Sequence, residues 1–222
     1  MKLFLKIGLF LHLRRMRRNN TLILPKKCKV DIRVFGQGNR VEIETGAVPF
    51  RGSLCIYGDN NDVHIAPTRY RATVNLTIGC DPKRRTHRVQ VDIGKDLYCG
   101  RANILLADDD FVFRVGDDCM FSEVINILGS DTHTVTDLNG VCLNRGKCIK
   151  IGHHVWLGQN VQILKNTEIP DDCIVGLGSI VSRGIFKPHS ILAGTPAKIV
   201  RENITWNREF PNNYQQERIE SK

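Results

Sequence analysis

Between residues 151 and 185 the chain repeats itself every six residues. Ile151, Leu157, Ile163, Ile169, Val175 and Val181 recur at that spacing. Four residues after each come Val155, Val161, Thr167, Cys173, Ser179 and Ile185, mostly small or β-branched. Gly152, Gly158, Gly176 and several Asp or Asn residues fall between them. An α-helix does not repeat at six, and an amphipathic strand repeats at two. Six suits the flat side of a prism: a short strand sends one aliphatic residue inward, and a turn leads to the next side. Three sides close one coil of about 18 residues. The small residue fits the narrow corner, and Gly or Asn accepts the dihedrals of the turn.

Weaker copies lie upstream. Val115, Phe121 and Ile127 keep the phase, with Cys119 and Ile125 at the partner place, and Ile93, Leu97 and Cys99 fit an earlier coil. Asn39-Arg40-Val41-Glu42-Ile43 matches Asn61-Asp62-Val63-His64-Ile65 at an offset of 22, and Ile93-Gly94 matches Val115-Gly116 at the same offset. Coils of about 18 with small bulges produce that offset, so roughly residues 28 to 200 read as one stacked solenoid. From Asp131 to Cys148 the phase is lost, and Ile149 and Ile151 resume it. That stretch is expected to leave a corner as a loop, where binding and catalytic groups concentrate. The boundaries expected are an N-terminal helix at 1–24, the solenoid at 25–205 with its loop at 131–148, and a tail at 206–222.

Length and charge narrow the partners. The chain has 222 residues, enough for one domain with short appendages. Its formal net charge of +9 favours an anionic partner. Nucleic acid fits least, because the excess charge is largely N-terminal and no stacking aromatics interleave with it. The eight cysteines include no Cys-x-x-Cys pair, so zinc ribbons and redox motifs are unsupported. No secretory signal is evident, and the thiols read as reduced and the protein as cytoplasmic. Residues 3–13 are apolar apart from Lys6, Gly8 and His12, but too short to span a bilayer, which takes about 20. Lys2, Lys6, Arg14, Arg15, Arg17, Arg18, Lys26 and Lys27 precede the first acid, Asp31. This segment is read either as a helix capping the open end of the prism or as a basic amphipathic helix on the inner membrane surface.

Four short motifs stand in order along the second half. They are Ser130-Asp131-Thr132-His133, Ile151-Gly152-His153-His154-Val155-Trp156-Leu157-Gly158, Gly176-Leu177-Gly178-Ser179-Ile180-Val181, and Ala193-Gly194-Thr195-Pro196-Ala197-Lys198. Together they resemble the hexapeptide-repeat acetyltransferases. Within these they resemble the capsule and polysialic acid type of polysaccharide O-acetyltransferase, including the ending Ile204-Thr205-Trp206. The resemblance implies an all-β solenoid, a left-handed parallel β-helix, assembled as a homotrimer with active sites at the seams. It implies transfer of an acetyl group from acetyl-CoA to a carbohydrate hydroxyl of a bacterial surface polysaccharide, capsule or lipopolysaccharide, without a metal. The acceptor is expected to be polymeric, and the net charge favours an acidic one.

A sugar hydroxyl is a weak nucleophile, so attack on a thioester needs a base poised near neutral pH, and histidine suits that task. His133 is the only histidine within the phase-breaking loop, and in the family the matching His is the base. Asp131, Asp137 or a backbone carbonyl would orient its ring. Charge developing on the acetyl oxygen needs a donor, and the resemblance places Trp156 near the reacting centre; its bland reading is a corner cover. The resemblance assigns the pantetheine arm to Gly158, Gly176, Leu177 and Gly178, and the phosphate end to Ser182, Arg183 and Lys198. Leu177, Ser182 and Arg183 depart from the family's usual Ala, Thr and Lys. Asn103, one coil before His133, is a substrate contact by resemblance and an ordinary turn Asn otherwise. His153 and His154 read as turn residues. Three alternatives stand beside this reading: a zinc carbonic anhydrase, for which His133 lacks companion histidines at the right spacing; a non-catalytic solenoid; and N-acetyl transfer to an amino sugar or other small amine.

Overall fold

The computed structural model describes residues 19–26, 28–184 and 186–214. The expected N-terminal helix and its basic run lie almost wholly outside the described residues. The strands follow the sixfold period. On the first side of the prism, seven run parallel in chain order: β1 (Thr21–Ile23), β3 (Arg40–Ile43), β5 (Asp62–Ile65), β7 (Gln90–Ile93), β9 (Val112–Val115), β12 (Cys148–Ile151) and β15 (Thr167–Ile169). Between them, β2 (Lys29–Phe35), β4 (Arg51–Tyr57), β6 (Ala72–Ile78) and β8 (Tyr98–Leu106) form the other wall of the early coils. β8 then divides: its start pairs with β10 (Met120–Phe121) and its end with β11 (Ile125–Leu128). From there the second side continues as β13 (Trp156–Leu157) and β16 (Ile174–Val175), and the third as β14 (Gln162–Leu164) and β17 (Ile180–Val181). The antiparallel pair β18 (Ser190–Gly194) and β19 (Ala197–Glu202) finishes the stack. The protein is thus the all-β stack of parallel coils expected from the period, the left-handed parallel β-helix that the resemblance implied. The coil already includes Thr21–Ile23, ahead of the boundary expected at residue 25.

Stacking in register builds the core. Val63, Val91, Phe113, Ile149 and Thr167 form one inward column, and Ile65, Ile93, Val115, Ile151 and Ile169 the next. Leu54, Leu76, Ile104, Ile127, Ile163 and Val181 line the third side. All are buried. The six residues that set the period point inward, and of their partners Val155, Val161, Thr167, Cys173 and Ser179 are buried as well. Corner residues Asn60, Asp110, Asp118, Asn160, Asn166 and Asp172 take φ of 54–60°, a region Asn and Asp tolerate better than other L-residues.

The motif repeated at offset 22 has a specific cause. Asn39 and Asn61 are buried at successive corners and bond end to end. Asn20 Oδ1 accepts from the backbone and side-chain N–H of Asn39, at 2.9 Å each. Asn39 Oδ1 accepts from the same two groups of Asn61, at 3.0 and 2.9 Å. Asn61 Oδ1 accepts from Val89 N at 2.9 Å, while Asn61 Nδ2 donates to Thr86 O at 3.1 Å. A buried amide is tolerated here because each of its groups is paired.

The C-terminal segment closes the second half. Trp206, expected to begin a tail, is buried, donates from Nε1 to His154 O at 2.8 Å and stacks on the His154 ring at 4.2 Å. Arg208 reaches Asp118 Oδ1 at 2.9 Å and lies over Tyr70 at 4.3 Å. On the outward face of the second side, Tyr98, Met120, Trp156, Ile174 and Ile191 form a half-buried apolar ridge, in register from coil to coil. Among the described residues no helix is long and apolar enough to cross a membrane.

All eight cysteines are free. Burial pushes the thiols of Cys99 and Cys119 up to about 12, whereas Cys142 is exposed on the long loop. Only the thiolate attacks an alkylating reagent. Native protein treated with iodoacetamide near neutral pH should therefore be modified at Cys142 well before Cys99 or Cys119. Peptide mapping that finds all three labelled at one rate would contradict this placement of the thiols.

Candidate functional site

The 131–148 stretch does leave the prism, at the corner after the third side. Its neck is pinned by one carboxylate: Asp108 accepts from Ser130 Oγ at 3.0 Å and from Gly146 N at 2.5 Å. Asp108 lies one coil below, so the loop begins and ends on the same rigid point. An earlier excursion, carrying Lys83, Arg84, Arg85 and Arg88, leaves between β6 and β7. Cys80, Arg84 and Arg85 from that excursion and His133, Asn144 and Arg145 from the loop line a common cavity of about 400 Å³. His133 is exposed at its edge and is the only histidine lining it.

The structure gives the ring of His133 one polar neighbour, Thr132 Oγ1 at 3.1 Å from Nδ1. Neither carboxylate expected to orient the ring bonds to it. Asp131 is taken by the ammonium of Lys165, from the next coil, and by Asn144 Nδ2 at 2.8 Å. Lys165 foremost, then Asn144, holds the Asp131 carboxyl below the usual carboxylate range, with Arg183 adding a weaker attraction through space. Asp137 closes its own turn, accepting from Asn139 N and Val141 N at 2.9 Å. A short Asp side chain in a tight turn finds backbone N–H groups first, which keeps Asp137 from the ring, whereas Asp131 is drawn off by Lys165 and Asn144.

The remaining candidates divide between two places. Trp156 stands on the second side, in the apolar ridge, with its ring 6.0 Å from that of Trp206. Its Nε1 is buried and has no partner among the described residues. Gly158 and Gly176–Gly178 occupy the corner between the second and third sides. A Cβ on Gly158 would come within 2.8 Å of Leu177 N, so the bare backbone there is required by close stacking. The N–H groups of Gly158, Gly176 and Gly178 are already spent on Val175, Leu192 and Gln159 carbonyls. An arm laid along this corner would meet carbonyl oxygens and the exposed Leu177 side chain more than free donors. Lys198 is adjacent: it pairs with Ala193, and Gly194 N donates to Ser179 Oγ at 3.1 Å. Ser182 and Arg183 follow β17 at the other corner, the one that throws out the His133 loop. Asn103, on the outward third side, lies in a polar ladder between Asn75 at 3.0 Å and Asn126 at 3.5 Å.

His153 and His154 serve corners, as the sequence suggested. Asp117 N donates to His153 Nδ1 at 3.0 Å, and His153 N donates to Asp171 Oδ1 at 2.8 Å. Among the described residues no three His, Cys, Asp or Glu side chains converge as metal ligands do. Beside the cavity arginines Arg84, Arg85 and Arg145, the site residues that escaped sequence reading include Asp108, Thr132, Asn144 and Lys165. Thr132 and Asn144 lie inside the phase break, the one signal that pointed to them, whereas Asp108 and Lys165 reach it from neighbouring coils.

No protein-family model matches the sequence, and no curated protein does. Among solved structures, the chain is similar to the polysialic acid O-acetyltransferase OatWY, with 29% identity, 88% of this chain and 91% of that one covered, and a TM-score of 0.71. It is also similar to the polysialic acid-specific acetyltransferase NeuO, with 26% identity, 84% and 92% coverage, and a TM-score of 0.59.

Proposed function

We propose that this hexapeptide-repeat acyltransferase moves an acetyl group from acetyl-CoA directly onto a sugar hydroxyl of a bacterial surface polysaccharide, with His133 as the general base. The observation that carries this reading is the placement of His133. It sits at the edge of a cavity of about 400 Å³, on a loop pinned at both ends, in a chain whose fold follows that of a polysialic acid O-acetyltransferase.

The ring supports the role through its tautomer. When Nδ1–H donates to Thr132 Oγ1, the Nε2 lone pair is left to take the hydroxyl proton as the sugar oxygen attacks the thioester carbonyl; collapse of the adduct breaks the C–S bond, and the imidazolium returns that proton to the departing CoA thiolate. Acetyl-CoA supplies the activated acyl group, and its phosphates would meet Lys198 or Arg183. Trp156 Nε1 is the donor assigned to the developing negative charge. An indole N–H buried without an acceptor costs about 1–3 kcal/mol, which a bound oxygen would relieve.

The site is completed by other copies of the chain. His133 and the Gly158–Gly178 corner stand at different corners of one prism, and the outward apolar ridge at Tyr98, Met120 and Trp156 needs a cover. A homotrimer that sets the His133 loop of one subunit against the Gly176–Gly178 corner of the next meets both needs. The acceptor is an acidic polymer, drawn by Arg84, Arg85 and Arg145 around the cavity, and the reaction takes place in the cytoplasm, where acetyl-CoA is available.

Purified protein given radiolabelled acetyl-CoA is expected to sediment as a trimer and to label acidic polysaccharides well above neutral ones. Absence of label from every glycan in a broad panel, or full activity in a sedimenting monomer, would overturn the reading.

A further inference from the structure

We propose that Asn144 is the positioning residue of the site, a strut that sets the backbone of His133. This rests on the base role proposed above and adds a residue to it. The Asn144 amide bonds to three alternate residues of the opposing loop segment. Its Nδ2 donates to Asp131 Oδ2 and to His133 O, both at 2.8 Å, and its Oδ1 accepts from Val135 N at 2.8 Å. Both N–H bonds of the amide and its oxygen are thereby used, on partners that flank and include the base. The far half of the loop holds itself by backbone pairing, Thr136 with Cys142, and nearer the base the Asn144 side chain takes the place of the ladder.

The strut is anchored to the prism. Asp131, at one end, is gripped by Lys165 from the following coil. The backbone adds a bond at the other end, from Leu143 N to Val135 O at 2.8 Å. Between these points Thr132 takes φ of 60°, unusual for a β-branched residue, with its N–H on Ser130 Oγ at 3.1 Å and its Oγ1 on the His133 ring. Such a conformation persists only where its surroundings over-determine it, and the Asn144 bonds on either side do so. Lys165, Asp131, Asn144 and His133 thus form one chain of contacts, in which Asp131 acts on the loop backbone and not on the imidazole.

Asn144→Ala should lower kcat by about 10- to 100-fold, the scale of a small misplacement of a reacting group. KM for acetyl-CoA, the unfolding midpoint and the sedimentation of the protein should stay as in wild type. Asn144→Asp supplies a more specific readout. The carboxylate it introduces would face the Asp131 carboxylate and the His133 carbonyl, so activity should fall further than in Asn144→Ala. Protonation restores one donor, so the ratio of Asn144→Asp to wild-type activity should rise as pH is lowered. Lys165→Met combined with Asn144→Ala should cost little more than the larger single change, because both cut one chain of contacts. Run beside these, His133→Ala separates the two ideas. Inactive His133→Ala with wild-type kcat in Asn144→Ala would overturn the strut and leave the base standing. Near wild-type transfer by His133→Ala would overturn the base, and the strut with it.

Discussion

A His133→Ala protein is expected to fold, assemble and bind acetyl-CoA like wild type, yet to transfer acetyl about 10²–10⁴ times more slowly, the usual contribution of a positioned base. Folding should be spared because the His133 ring is exposed and makes no contact with the inward columns. Donor binding should be spared because the groups that the proposal gives to acetyl-CoA, the Gly158–Gly178 corner with Lys198 and Arg183, do not include the His133 ring. On the proposed mechanism no acetyl-enzyme should accumulate without acceptor, because the ring would activate the sugar oxygen and not carry the acyl group. Stopped assays with labelled donor check each point. A folded His133→Ala protein that transfers at near wild-type rate would move the chemistry elsewhere.

The second large effect concerns stability. Asn61→Ala removes three hydrogen bonds from the buried amide ladder and leaves Val89 N and Thr86 O without those partners inside the prism. Each buried orphan costs about 1–3 kcal/mol, so a loss of about 3–5 kcal/mol is expected, read as a lower denaturant midpoint. Asn61→Asp should be at least as damaging, because an oxygen replaces the donor that faces Asn39 Oδ1 and Thr86 O. A midpoint within about 0.5 kcal/mol of wild type would show that the early coils do not depend on these amides.

The fold was legible because one inward residue per side is an unconditional demand of a narrow prism. Ile151, Leu157, Ile163 and Ile169 had to recur at six, and each is buried where the period placed it. The loop was legible as a loss of that same demand. The contacts inside it were not. Asn144 and Asp131 are 13 residues apart and meet only because Asp108 brings the ends of the loop together. Nothing periodic encodes such a closure. Lys165 looked like a surface lysine at a corner, and its pairing with Asp131 depends on which coil lies above which. Proximity in sequence misled for Asp137, whose oxygen was claimed by its own turn. Trp206 shows the same limit from the other side: a motif residue at the chain's end folds back across 52 residues onto His154.

The coils of the stack are unequal in length, and this bears on how such proteins change over time. From Val91 to Phe113 the first side takes 22 residues to return to register, from Phe113 to Ile149 it takes 36, and from Ile149 to Thr167 it takes 18. Every return lands on the same inward column. Corner length is therefore nearly free of consequence for the core, at about 0.6 kcal/mol for each doubling of a flexible loop. The basic excursion at Lys83–Arg88 and the His133 loop behave as interchangeable cassettes clipped to one edge of a constant spool. Either can be lengthened, shortened or rewritten alone while the inward columns keep their register.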